Sequence, residues 1–176
     1  MRRQLACLLT LSVFLVACGT GEAPVADDPE EAAAQIGVAI QEVGLEVAKV
    51  SRRAGSGRGE PTDLALQLKE LSGRAFTLAR QSERDLPDGT ALEAANAEAA
   101  RKIAFGAERV GESVEVDEDA LERSLNEVEA ELVEAAERML DVSTDLEGTV
   151  PDETIRELDN GRAELKAASA GLRDLP

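Results

Sequence analysis

The chain has 176 residues and a formal charge of −17, from 36 acidic against 19 basic side chains, and only 2% of its residues are aromatic. That length suits one domain, and so acidic a surface excludes nucleic acid as a partner and repels anionic lipid headgroups. There is no His, Trp or Tyr, so the usual general base, the common zinc ligand and Ser-His-Asp catalysis are all missing.

The first segment, residues 1–17, has three zones. Arg2 and Arg3 give a positive start, Leu5 to Val16 is apolar apart from Thr10 and Ser12, and small residues surround Cys18. This is the layout of a secretory signal, and the apolar run is shorter than the ~20 residues a spanning helix needs. Leu15-Val16-Ala17-Cys18 resembles the lipobox of bacterial lipoprotein precursors. The resemblance implies cleavage between Ala17 and Cys18, a diacylglyceryl thioether on Cys18, and often a further acyl chain such as palmitate on the new amino group. One chain holds a protein to a membrane only marginally, whereas two or more hold it stably. Gly19, in place of an aspartate after the cysteine, implies transfer to the outer membrane if the cell has one. Otherwise the protein sits on the outer face of the cell membrane.

Cysteine usage agrees with export. Cys7 lies in the discarded segment and Cys18 is blocked by lipid, so the exported chain keeps no free thiol. Removing Arg2 and Arg3 takes the charge from −17 to −19, and the folded part is expected to stand off its membrane. Residues 18–28 form a short polar tether, reaching a few tens of ångströms at ~3.3–3.6 Å per residue.

The helical bundle domain spans 29–176. Helix one is expected from Pro29, with Asp28 as cap. Its stripe is Ala33, Ile36, Ile40, Val43, Val47 and Val50, a heptad seam with Gly37 and Gly44 alongside. It ends at Arg52 and Arg53, and Gly55 to Gly59 is a glycine-rich loop whose spacing does not match a phosphate cradle. Helix two follows Pro61, with Thr62 or Asp63 as cap. It carries Leu64, Leu68, Leu71, Ala75 and Leu78 on one side and Phe76 on the flank, and stops before Leu86-Pro87-Asp88-Gly89.

Thr90 and Glu93 form a capping box for helix three. Its stripe of Leu92, Ala95, Ala99, Ile103, Gly106 and Val110 is rich in small residues, which places this helix at the centre. After a reversal at 113–116, Asp117 caps helix four, whose three-four alternation runs unbroken from Leu121 to Leu146. Helix five starts near Pro151 and is the least regular, interrupted by Gly161 and Gly171. No stretch reads as a strand. The fold class is all-α: an up-down antiparallel bundle of about five helices with heptad-like, coiled-coil seams.

Two charged features stand out. Residues 117–146 hold eleven acids against Arg123 and Arg138. Pairing with cations such as Arg101, Arg109, Arg162 and Lys166, plus a solvated face, is the expected explanation, and the alternative is a docking face for a basic partner or divalent cations. Asp117-Glu118-Asp119 lacks calcium-loop spacing and reads as a helix start. Arg52, Arg53 and Arg58 form the one tight basic cluster after cleavage, read either as plain helix termination plus linker or as a candidate contact site for an acidic protein or envelope polymer. No catalytic residues, cofactor or metal site is expected. Lys69-x-x-Ser72 reverses the order used by penicillin-interacting enzymes. The functional expectation is a lipid-anchored extracytoplasmic bundle acting by contact. The alternative is a module holding a small ligand or cations in its interior, which needs an apolar void. Charge adaptation to a salty habitat also explains the acidity.

Overall fold

The computed structural model describes residues 21–23, 26–173 and 175. The expected signal segment, the expected cleavage point at Ala17 and the expected lipidation site Cys18 lie outside the described residues. Among the described residues five helices follow one another: α1 (Pro29–Gly55), α2 (Pro61–Asp85), α3 (Ala91–Ser113), α4 (Glu118–Leu146) and α5 (Asp152–Arg173). No strand occurs among the described residues.

Local chemistry sets the ends. Asp28 accepts from the amides of Glu30 and Glu31 at 3.1 Å, and Asp117 accepts from Ala120 N–H at 2.6 Å. Thr90 Oγ1 accepts from Glu93 N–H at 3.1 Å, and Glu93 returns a bond to Gly89 N–H rather than to the cap's own amide. Helix α2 departs from expectation. It begins at Pro61 itself, its cap Glu60 makes no side-chain bond, and Thr62 instead reaches Glu115 at 2.8 Å. A proline at the first position needs no partner for an N–H it lacks, so the helix starts there without a side-chain cap.

The helices make an up-down bundle, each packed on its sequence neighbours, and α1 also packs on α5, α4 and α3. An odd number of helices makes the closing α1–α5 seam parallel: Gln41 meets Leu158, and Arg52 meets Ala168. The central helix is therefore α1, not α3, which has no contact with α5. The expected α1 stripe is buried throughout, but so are Ala32, Ala34, Gln41, Ala48, Ser51 and Ala54 on its other sides. Small residues let a helix be enclosed this way. Leu158 packs over Gly37, and Ile103 and Leu165 meet over Gly44.

The other stripes are buried largely as expected, and each large aliphatic side chain so buried contributes about 1.5–3 kcal/mol before entropy. Helix α5 is continuous through both glycines, which correct the expected interruption. Gly161 leaves room for Gln41, whose Nε2 donates to Leu158 O at 2.7 Å, and Gly171 leaves room for the Arg52 guanidinium. One polar group fixes the α1–α3 register: fully buried Asn96 donates through Nδ2 to Ala33 O at 3.0 Å.

Candidate functional site: a basic groove at the end of helix α1

Arg52 and Arg53 occupy the last turn of α1, where cations complement the partial negative charge of the carbonyl end. The chain then turns back sharply. Ser56 Oγ donates to Arg52 O at 2.8 Å, and Arg58 N–H donates to Arg53 O at 2.8 Å. Gly57 at φ +63° and Gly59 at φ +116° supply backbone angles that other residues resist. The turn brings Arg58 back beside Arg52 and Arg53. The three lie on an open groove of about 220 Å³ with Leu45, Lys49, Ser56 and Ala168. The sequence cluster is thus one site in space, enlarged by Lys49, one turn earlier on α1, and by an apolar wall from α5.

The arginines differ in commitment. Arg52 lies over Gly171 and donates from Nη2 to Ala168 O at 3.1 Å, so it ties α1 to α5. Arg53 Nη1 donates to Gln67 Oε1 on α2 at 3.2 Å, a neutral partner. Lys49 is 3.2 Å from Glu46 one turn back. None of the three arginines forms an ion pair among the described residues, although acids outnumber bases nearly two to one. The groove can therefore offer guanidinium forks to phosphate or carboxylate oxygens, beside a small apolar surface.

The acidic helix is a different case. Lys102 of α3 reaches Glu134 and, at 3.7 Å, Glu131. Arg109 lies 3.3 Å from Glu127 and 3.5 Å from Glu131, and Arg138 spans Glu98 and Asp141 at 3.1 and 3.5 Å. Arg173 pairs with Glu129. Among the described residues Arg109 is the one expected cation that serves α4: Arg101 pairs with Glu83 on α2, Arg162 pairs with Asp159 on its own helix, and Lys166 forms no ion pair there. The α3–α4 seam is thus laced by partly exposed pairs, each of modest individual worth. Asp117, Glu118 and Asp119 border an open depression, and Asp117 is engaged as the α4 cap. No group of three or more metal-ligating side chains occurs among the described residues.

The Lys102–Glu134 hydrogen bond holds the Glu134 carboxyl below its usual 4.5 and the Lys102 ammonium above its usual 10.5. A lowered acid stabilises the fold above its unfolded value and ceases to do so as pH falls through the folded one. A raised base stabilises below its unfolded value and ceases to do so as pH rises through the folded one. The pair's contribution is therefore complete between pH 4.5 and 10.5 and fades on both limbs. We expect the melting-temperature gap between wild type and Lys102→Met to be widest inside that window and to close outside it. A gap independent of pH contradicts the pairing.

Two further features were hidden from sequence reasoning. Phe105 is 44% exposed and meets Phe76 edge to face, with ring centroids 5.4 Å apart, so one aromatic surface does reach solvent. The segment before α1 is also anchored. Gln81 Oε1 accepts from Ala23 N–H at 2.8 Å while its Nε2 donates to Ala23 O at 2.9 Å. Glu22 lies 3.0 Å from Arg84, and Gly21 packs on the α2 backbone at Arg74. Arg84 also grips Asp85, and that hydrogen bond holds the Asp85 carboxyl below its ordinary value. No signal in the sequence points from Gln81 to a residue 58 positions away.

Neither a protein-family model nor a curated protein nor a solved structure matches this chain.

Proposed function

We propose that this chain is a lipid-anchored helical bundle held outside the cytoplasmic membrane, which acts by contact rather than catalysis. Its contact site is the groove of Lys49, Arg52, Arg53 and Arg58, and its partner is an anionic component of the cell envelope, bearing phosphate or carboxylate. The observation that carries this reading is a set of arginines without acidic partners among the described residues, gathered on one groove of a strongly acidic protein. Acids attract cations wherever they can reach them, so guanidinium groups left facing solvent are available to an external anion. The zoned signal segment and the Leu15–Cys18 motif support the anchor.

The interior ligand site has less support. Neighbouring side chains cover the seam glycines: Ile103 and Leu165 over Gly44, Leu158 over Gly37, and Val128 over Gly106.

The groove is tested with a soluble polyanion. Wild type is expected to bind polyphosphate at low ionic strength, weakening as salt rises. Lys49→Ala/Arg58→Ala is expected to bind about tenfold more weakly, a loss of ~1.4 kcal/mol, with an unchanged melting temperature. Arg52 is left in place because it ties α1 to α5. Equal binding by the variant removes the groove from the proposal.

A further inference from the structure

We infer that α2 builds a recognition site for an extended peptide of the pattern glycine, acid, alanine, and that Gly21–Ala23 is its tethered ligand: a latch that docks and releases while the bundle stays folded. The inference stands apart from the basic groove and from the anchor.

A different group reads each of the three residues. Gly21 has φ +72°, and a Cβ there would lie 3.3 Å from Arg74 Cγ, so the position takes glycine for two reasons. Arg84 Nη1 donates to the Glu22 carboxylate at 3.0 Å. Asp85 orients that guanidinium by accepting from Nε at 2.6 Å and from Nη2 at 2.8 Å, which leaves Nη1 to face Glu22. Ala23 is 8% exposed and joins the apolar core, a place that suits a methyl group. Gln81, itself buried, accepts from the Ala23 N–H and donates to the Ala23 carbonyl, as a neighbouring strand would. Pro24 follows in the sequence, and a residue before proline favours extended backbone, so the segment is shaped for this contact in advance. The chain has two other Gly-Glu pairs. Gly59-Glu60 precedes Pro61, which lacks the N–H that Gln81 needs, and Gly111-Glu112 lies within α3.

The contact is weak enough to release. It consists of two neutral hydrogen bonds, an ion pair with both partners partly exposed, and one buried methyl group. Each is of modest net worth, and together they offset little more than the entropy of ordering the residues before α1. The helices, in contrast, are held by many large buried aliphatic side chains. The latch therefore opens on its own, as a segment of low local stability. Docked, the chain leading to the bundle meets it at Gly21, on α2. Released, it meets it at Asp28, the α1 cap, which adds about 25 Å of reach at ~3.3–3.6 Å per residue. The latch thus sets how far the bundle ranges from the point that holds its N-terminal end, and its release offers Gln81 to another extended peptide.

The test uses the full chain as cells produce it, isotope-labelled for amide exchange. In wild type, exchange at Ala23 is expected to be slowed by docking yet insensitive to low denaturant, while the amide of fully buried Ile103 follows global unfolding. Gln81→Ala is expected to speed exchange at Ala23 roughly tenfold. An Ala23 amide that exchanges only together with Ile103 makes Gly21–Ala23 a fixed part of the fold, and one with no protection leaves it undocked; either result overturns the latch. Ala23→Lys tests the site from the other side, because it alters the segment and leaves α2 intact. A latch near balance has a dissociation constant close to the effective concentration of a short tether, about millimolar. The Ala23→Lys chain is therefore expected to bind a free peptide of residues 20–25 in that range, read as a shift of the Gln81 side-chain amide resonances. The same peptide N-methylated at its alanine, which lacks the N–H, is expected to leave them unmoved. No shift with the first peptide, or equal shifts with both, overturns the recognition site.

Discussion

Gly106→Ala is expected to destabilise the bundle although alanine is the better helix former. A Cβ at Gly106 would sit 2.7 Å from Val128 Cγ2 and 3.4 Å from Val128 Cα across the α3–α4 seam. Valine has stiff χ1 preferences and its backbone cannot rotate away, so α3 and α4 must separate. Overpacking of this kind costs about 1–3 kcal/mol, which for a chain of this size lowers the melting temperature by roughly 2–12 °C. Gly73→Ala makes the control. Gly73 lies inside α2, is exposed, and has nothing within 4 Å of a Cβ. There alanine is expected to raise stability by roughly 0.5–1 kcal/mol, through helix propensity alone. Denaturant titration of both variants gives the two signs. A stabilising Gly106→Ala would mean that the α3–α4 seam is looser than the structure has it.

The contrast shows how much of the fold was legible. Helix α4 has one buried face, so its three-four pattern from Leu121 to Leu146 reports burial directly. Helix α1 is enclosed on most of its circumference, and a single stripe understates it. Ala34, Ala48 and Ser51 look like solvent positions by period, yet they are buried because their small size admits neighbouring helices. Gly161 and Gly171 read as interruptions because glycine disfavours helix, while their use as seats for Gln41 and Arg52 depends on a helix more than a hundred residues away. The same separation divides the groove. Arg52, Arg53 and Arg58 are close in sequence, and Lys49 is one turn back, so both could be found by spacing. Ala168 could not.

The second large effect concerns the anchor. The lipobox resemblance implies that the mature chain begins at Cys18 and carries at least two acyl chains, enough for stable attachment. None of the described helices is long and apolar enough to cross a membrane. Cys18→Ser is therefore expected to remove acylation. Such a variant can still be held by an uncleaved apolar segment, so location alone is an indirect readout. The mass of the N-terminus reads the chemistry itself.

Intact mass spectrometry of the chain extracted from membranes tests the account most directly. The expected species begins at Cys18 and carries the mass of a diacylglyceryl group, with or without a further acyl chain. A chain that retains residues 1–17, or one that begins at Cys18 with an unmodified thiol, would contradict it.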